Sequence, residues 1–84
     1  MATRAWYVDI DGTKHYVELD HGTFSGKRTV KVDDEVVYSR GMSWRFGDRI
    51  RFSVAGHPAE LEINELGFVS DYVLKVDNRM VPRI

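Results

Sequence analysis

Apolar residues fall on every second position along almost the whole chain, and short turn signals interrupt that alternation about every ten residues. A period of two places one set of side chains on each face of a strand, whereas a helix needs a period near 3.6. Trp6, Val8 and Ile10 alternate with Tyr7 and Asp9, and Val17 and Leu19 alternate with Tyr16, Glu18 and Asp20. The same pattern continues in Val30 and Val32, in Ile50, Phe52 and Val54, and in Leu61 and Ile63. Phe68, Ser70, Tyr72, Leu74 and Val76 share one face of a longer run. Nowhere do apolar residues keep helical spacing for ten or more positions.

The interruptions have the chemistry of hairpin turns. Asp11-Gly12 suits a type I′ turn, in which both central residues take positive φ. Asp33-Asp34 and Asp77-Asn78 read as further turns, and Gly47-Asp48 as another, after the irregular stretch that begins at Gly41. Ala55 to Pro58 breaks the run before the Leu61 strand, with Pro58 suited to a strand's first residue. Pro82 cannot donate to a ladder, so the last strand is expected at a sheet edge. The fold class that follows is all-β, an antiparallel β-sandwich of seven to eight short strands with one wet face per sheet. Trp6, Trp44, Phe46, Phe52, Phe68 and Tyr72 are the large side chains expected between the sheets. No linker, internal repeat or low-complexity segment stands out.

Eighty-four residues make one domain, spanning 1–84. Without cysteine, the chain has neither a disulfide nor a thiolate metal site, so burial and sheet hydrogen bonds must hold it. The start, MATRAWYVDID, lacks the apolar segment of a signal peptide, and no apolar run approaches a membrane span. A cytoplasmic protein with no membrane partner is expected. The net charge of −1 speaks against general nucleic-acid binding. Charge is nevertheless clustered: Arg40, Arg45, Arg49 and Arg51 lie close together, opposite in sign to Asp33, Asp34 and Glu35 and to Glu60, Glu62 and Glu65.

The residues show no reaction. His15, His21 and His57 lack a metal-ligand spacing and read as surface or loop histidines, so no metal and no cofactor are expected. Ser25 with His21 has no third residue to orient the imidazole. The loop GTFSGKR superficially resembles a phosphate-binding loop, but Arg28 stands where a hydroxyl would hold magnesium and a strand follows where a helix belongs.

The lead strand with Trp6 and Val8, the segment HYVELDHGTFSGKRTVKVDDE (15–35), Trp44 and Phe46, FSVAG (52–56), Ala59 with LEI (61–63), and GF (67–68) leading to YVLKVDN (72–78) together resemble the Fas apoptotic inhibitory molecule family. HGT-x-SGKR is the specific part. The resemblance runs from about residue 5 to residue 81 and fits the first of the two related β-sandwich domains of animal members. It implies a non-catalytic, all-β regulatory or protein-interaction module, with anti-apoptotic or signalling roles in animal relatives.

The expected function is therefore protein binding without catalysis, to a partner of unknown identity, with an edge strand able to pair two copies as a homodimer. The residues expected to meet the partner are His21, Thr23, Lys27, Arg28, Arg40, Arg45, Arg49 and Arg51. A sandwich that binds a small ligand or carbohydrate on exposed aromatic rings is the alternative reading. A holdase-like protection against aggregation is a further one, drawn from the resemblance.

Overall fold

The computed structural model describes residues 2–22, 27–41, 47–66 and 69–82. These residues form eight strands: β1 (Ala2–Ile10), β2 (Thr13–His21), β3 (Arg28–Val32), β4 (Glu35–Arg40), β5 (Gly47–Val54), β6 (His57–Leu66), β7 (Val69–Val76) and β8 (Arg79–Val81). The first four form one antiparallel sheet in chain order and the last four another. The alternation thus yields the expected sandwich. Trp6, Val17, Leu19 and Val30 from the first sheet and Ile50, Val54, Leu61, Ile63 and Leu74 from the second are sealed between them. Tyr72 is buried as expected and Phe52 packs at the margin of the core. Trp44, Phe46 and Phe68 lie outside the described residues.

Among the described residues, four two-residue turns close hairpins, and each takes positive φ at both positions: Asp11-Gly12, Asp33-Asp34, Ala55-Gly56 and Asp77-Asn78. That geometry matches the right-handed twist of the flanking strands. Three of the turns use Asp, Asn or Gly, which tolerate the left-handed region. Ala55, at φ 49°, does not. A left-handed L-residue costs about 1–2 kcal/mol, of which glycine's greater chain entropy takes back about 0.4–1. Ala55→Gly should therefore raise the melting temperature by a few degrees, and an unchanged or lower midpoint would show that the strain is absent.

Two expectations change in detail. Gly47-Asp48 is no turn: Gly47 opens β5 and Asp48 pairs with Ile63. Pro58 is the second residue of β6, a central strand, and not its first. It is tolerated because its carbonyl accepts the Asp77 N–H at 3.0 Å, so its missing N–H faces the β7–β8 turn and not a ladder partner on β5. As expected, β8 lies at an edge and stops before Pro82.

The structure also corrects the reading that the chain has no repeat. The second sheet reproduces the pairings of the first. His57 stands opposite Val54 as His15 stands opposite Val8, and Leu61 opposite Leu74 as Leu19 opposite Val30. Once aligned by register, HYVELD (15–20) matches HPAELE (57–62), and KVDD (31–34) matches KVDN (75–78). The hairpin lengths hid this relation. Asp9↔Lys14 and Ile10↔Thr13 extend the first hairpin beyond the point where Ala55-Gly56 already closes its counterpart.

Candidate functional site

Alternation carries β2 inward at Val17, Leu19 and His21, and β3 inward at Val30 and Arg28. His21 and Arg28 are paired in register, and Arg28 is paired in turn with Arg40 on β4. These three basic residues thus form a row on the inner face at one end of the sandwich. His21 is 2% exposed and Arg28 0%. Both had been expected on the surface. Strand parity overrides that expectation, because a residue two positions from a core residue shares its face.

The second sheet completes this end. The His21 imidazole Nδ1 and the Tyr72 hydroxyl lie 2.7 Å apart in a buried hydrogen bond, with the rings edge to face. The Arg4 guanidinium stands 5.3 Å from the centroid of the Tyr72 ring, an attractive cation–π placement. In the register of the repeat, Ile63 and Tyr72 occupy the places of His21 and Arg28. The first half therefore carries polar side chains where its counterpart carries an isoleucine and a tyrosine. Outside this cluster Lys27 is exposed beside Gly22, whose N–H donates to the Lys27 carbonyl at 2.8 Å. Thr23, Ser25 and Arg45 lie outside the described residues.

Arg49 and Arg51 are elsewhere, on the outer face of the second sheet. Arg49 Nε lies 3.6 Å from Glu60 Oε1 and 3.5 Å from Glu62 Oε1, and Lys75 Nζ lies 4.0 Å from Glu62 Oε1. Arg51 faces Glu60 in register. The arginines expected to form one positive patch instead belong to a ladder of alternating sign that runs across β5, β6 and β7. Spacing along the chain gave no sign of this, since cross-strand register decides which charges meet.

Sequence reasoning missed two histidine–aspartate clasps, one in each half of the repeat. His15 Nδ1 lies 2.7 Å from Asp33 Oδ2, and His57 Nδ1 lies 2.7 Å from Asp77 Oδ2. In each case a histidine of the sheet's second strand holds the first residue of its last turn. The Tyr16 backbone N–H also donates to Asp33 Oδ1 at 2.8 Å. That backbone donor first, and His15 second, hold the Asp33 carboxyl below the usual carboxylate range. A lowered carboxylate pKa adds stability that is complete above the unfolded value, near 4, and is lost as pH falls through the folded value. Asn accepts the same left-handed backbone as Asp, so Asp33→Asn isolates the charge. At neutral pH the variant should melt below the parent, and the gap should close as pH falls below about 4. A gap independent of pH would remove the clasp from the acid response.

The Fas apoptotic inhibitory molecule (FAIM1) family model matches residues 2–83. The chain belongs to the Fas apoptotic inhibitory molecule family. Fas apoptotic inhibitory molecule 1 of Mus musculus is 30% identical over 81 residues, which is 93% of this chain and 45% of the mouse protein. The Bos taurus protein is 28% identical, with 93% of this chain and 40% of its own length covered, and the Homo sapiens protein 27%, with 93% and 45%. The chain thus spans less than half the length of these relatives, in keeping with one domain that resembles their first. Family membership agrees with the resemblance carried by HGT-x-SGKR. In this member, His21 and Arg28 of that motif anchor the end of the sandwich from within.

Proposed function

We propose that this chain is a non-catalytic, regulatory module that acts by binding other proteins. The observation that carries the reading is the family match over residues 2–83, since the relatives are named as inhibitors of apoptosis. The chain covers 45% of the mouse relative, so it would supply one binding domain of such a regulator, with an anti-apoptotic effect where a suitable partner is present. The sandwich supports this with two kinds of surface, the charge ladder of the second sheet and the sheet edges.

Affinity capture with cross-linking from the native organism tests the proposal. A stoichiometric complex that survives purification and is reconstituted from the two purified components supports it. A chain that forms no such complex, or that turns over a substrate, overturns it. Arg49→Gln with Arg51→Gln asks whether the ladder selects the partner, and weaker capture is expected. Reversal of both arginines to glutamate is a poorer probe, because it sets like charges against Glu60 and Glu62. That repulsion costs about 0.2–1 kcal/mol per pair and shifts the melting point by a few degrees.

A further inference from the structure

An open groove of about 540 Å³ lies between the C-terminal half of β1 and β8 with its preceding turn. Both strands are sheet edges. Clefts of about 300–1,000 Å³ are the size at which proteins hold ligands. The floor is apolar, with Val8, Ile10, Val76 and Val81, and two exposed large side chains flank it: Tyr7 at 53% and Met80 at 70%. Three carboxylates, Asp9, Asp11 and Asp77, line it together with one guanidinium, Arg79. His57 also lines it, clasped to Asp77. On the outer face, Lys14 stands 5.8 Å from the centroid of the Tyr7 ring.

The two edges of the first sheet differ. β4 is interrupted by a register shift opposite Val30/Lys31, a bulge of the kind that blunts an edge against strand addition. β1 runs nine residues, pairs with β2 without a shift, and has no proline. Its last part belongs to the hairpin extension that the second half of the repeat lacks, and that extension supplies Asp9, Ile10 and Asp11 to the groove. The acidic wall is thus a feature that one half has and its counterpart does not.

We infer that this groove binds an extended segment of another protein that is apolar at alternate positions and carries lysine or arginine between them, added as a strand to the edge of β1. Strand addition gives affinity through main-chain hydrogen bonds, and alternate side chains enter the groove. The excess of carboxylates selects cationic residues on the incoming strand. The inference rests on the reading of the chain as a protein-binding module and names the partner's chemistry.

The probe is a short fluorescent peptide of alternating lysine and valine, compared by anisotropy with its glutamate–valine counterpart. Saturable binding of the lysine peptide alone is expected, with amide shifts in nuclear magnetic resonance confined to residues 5–11 and 76–82. Asp9→Asn with Asp11→Asn removes two charges and keeps side chains suited to the turn. It should weaken binding about three- to ten-fold at low salt and flatten the salt dependence. Met80→Lys puts a cation on an exposed wall position and should weaken binding about ten-fold while leaving the thermal melt within a few degrees. N-methylation of one alternate set of peptide residues should abolish binding and of the other set should not, since only every second N–H faces the new partner.

Equal binding of the glutamate peptide, shifts that map elsewhere, or indifference to Met80→Lys would each overturn the inference. So would a self-associated protein that Met80→Lys dissociates and that leaves the peptide unbound, because a second copy would then fill the groove. Protein capture by the native chain that persists in the face of any of these results leaves the module reading standing and removes only the groove.

Discussion

Trp6→Ala should cost about 3–5 kcal/mol, more than any other single truncation in the first sheet. Trp6 is the largest fully buried side chain among the described residues and sits opposite Val17 on the face turned toward the second sheet. Removing the indole deletes its transfer free energy and leaves a cavity that short, tightly connected strands collapse into poorly. A chain of 84 residues has a total stability of about 5–10 kcal/mol, so the variant loses about a third of it or more. At about 4–8 °C per kcal/mol, the melting temperature should fall by about 12 °C or more. Trp6→Phe is the matched control. Phe52 holds the corresponding place in the register of the second sheet, and a benzyl group there should lose far less than the alanine. A Trp6→Ala protein that melts within a few degrees of the parent would mean that the indole does not fill the space between the sheets.

The second large effect is expected at the buried His21–Tyr72 hydrogen bond. Either His21→Leu or Tyr72→Phe takes this hydrogen bond from the partner that stays buried, at about 1–3 kcal/mol. The damage comes chiefly from the polar atom that loses this contact. Replacing both sides by apolar groups, His21→Leu with Tyr72→Phe, should therefore cost less than the sum of the single changes, with a coupling of about 0.5–3 kcal/mol. Ile63, the register counterpart of His21, shows that the repeat accepts an apolar side chain at this level of the sandwich. Additive losses in urea denaturation would show that the two side chains act independently. The cycle also separates stability from function. If the motif that marks the family serves to hold the end of the sandwich together, the double variant should retain partner binding even though its most characteristic buried contact is gone.

The places where the primary structure was readable have a common physical basis. Asp11-Gly12, Asp33-Asp34 and Asp77-Asn78 are local, since each needs only two residues able to hold positive φ. The inward residues of β2, β6 and β7 were equally plain from alternation. The same parity, carried two positions further from Leu19 and back from Val30, would have placed His21 and Arg28 inside. The charged character of the two residues argued the other way, and the fold places them by parity. Arg49 and Arg51 were grouped with Arg40 and Arg45 along the chain, whereas their spatial neighbours Glu60 and Glu62 come from the next strand and are brought alongside by pairing. The repeat was obscured by the longer first hairpin and by Tyr16 standing where its counterpart has Pro58.

The amino-acid sequence by itself determined the strands, their turns and which face of each strand is dry, because these depend on contacts a few residues apart and on a period of two. Only the tertiary structure decided what meets across strands and sheets: Tyr72 against His21, Glu60 and Glu62 against Arg49, histidine against aspartate at two turns, and the edge of β1 beside β8. Those encounters depend on register and on the stacking of two layers, and no local pattern encodes the distance between residues that pairing brings together from far apart in the chain.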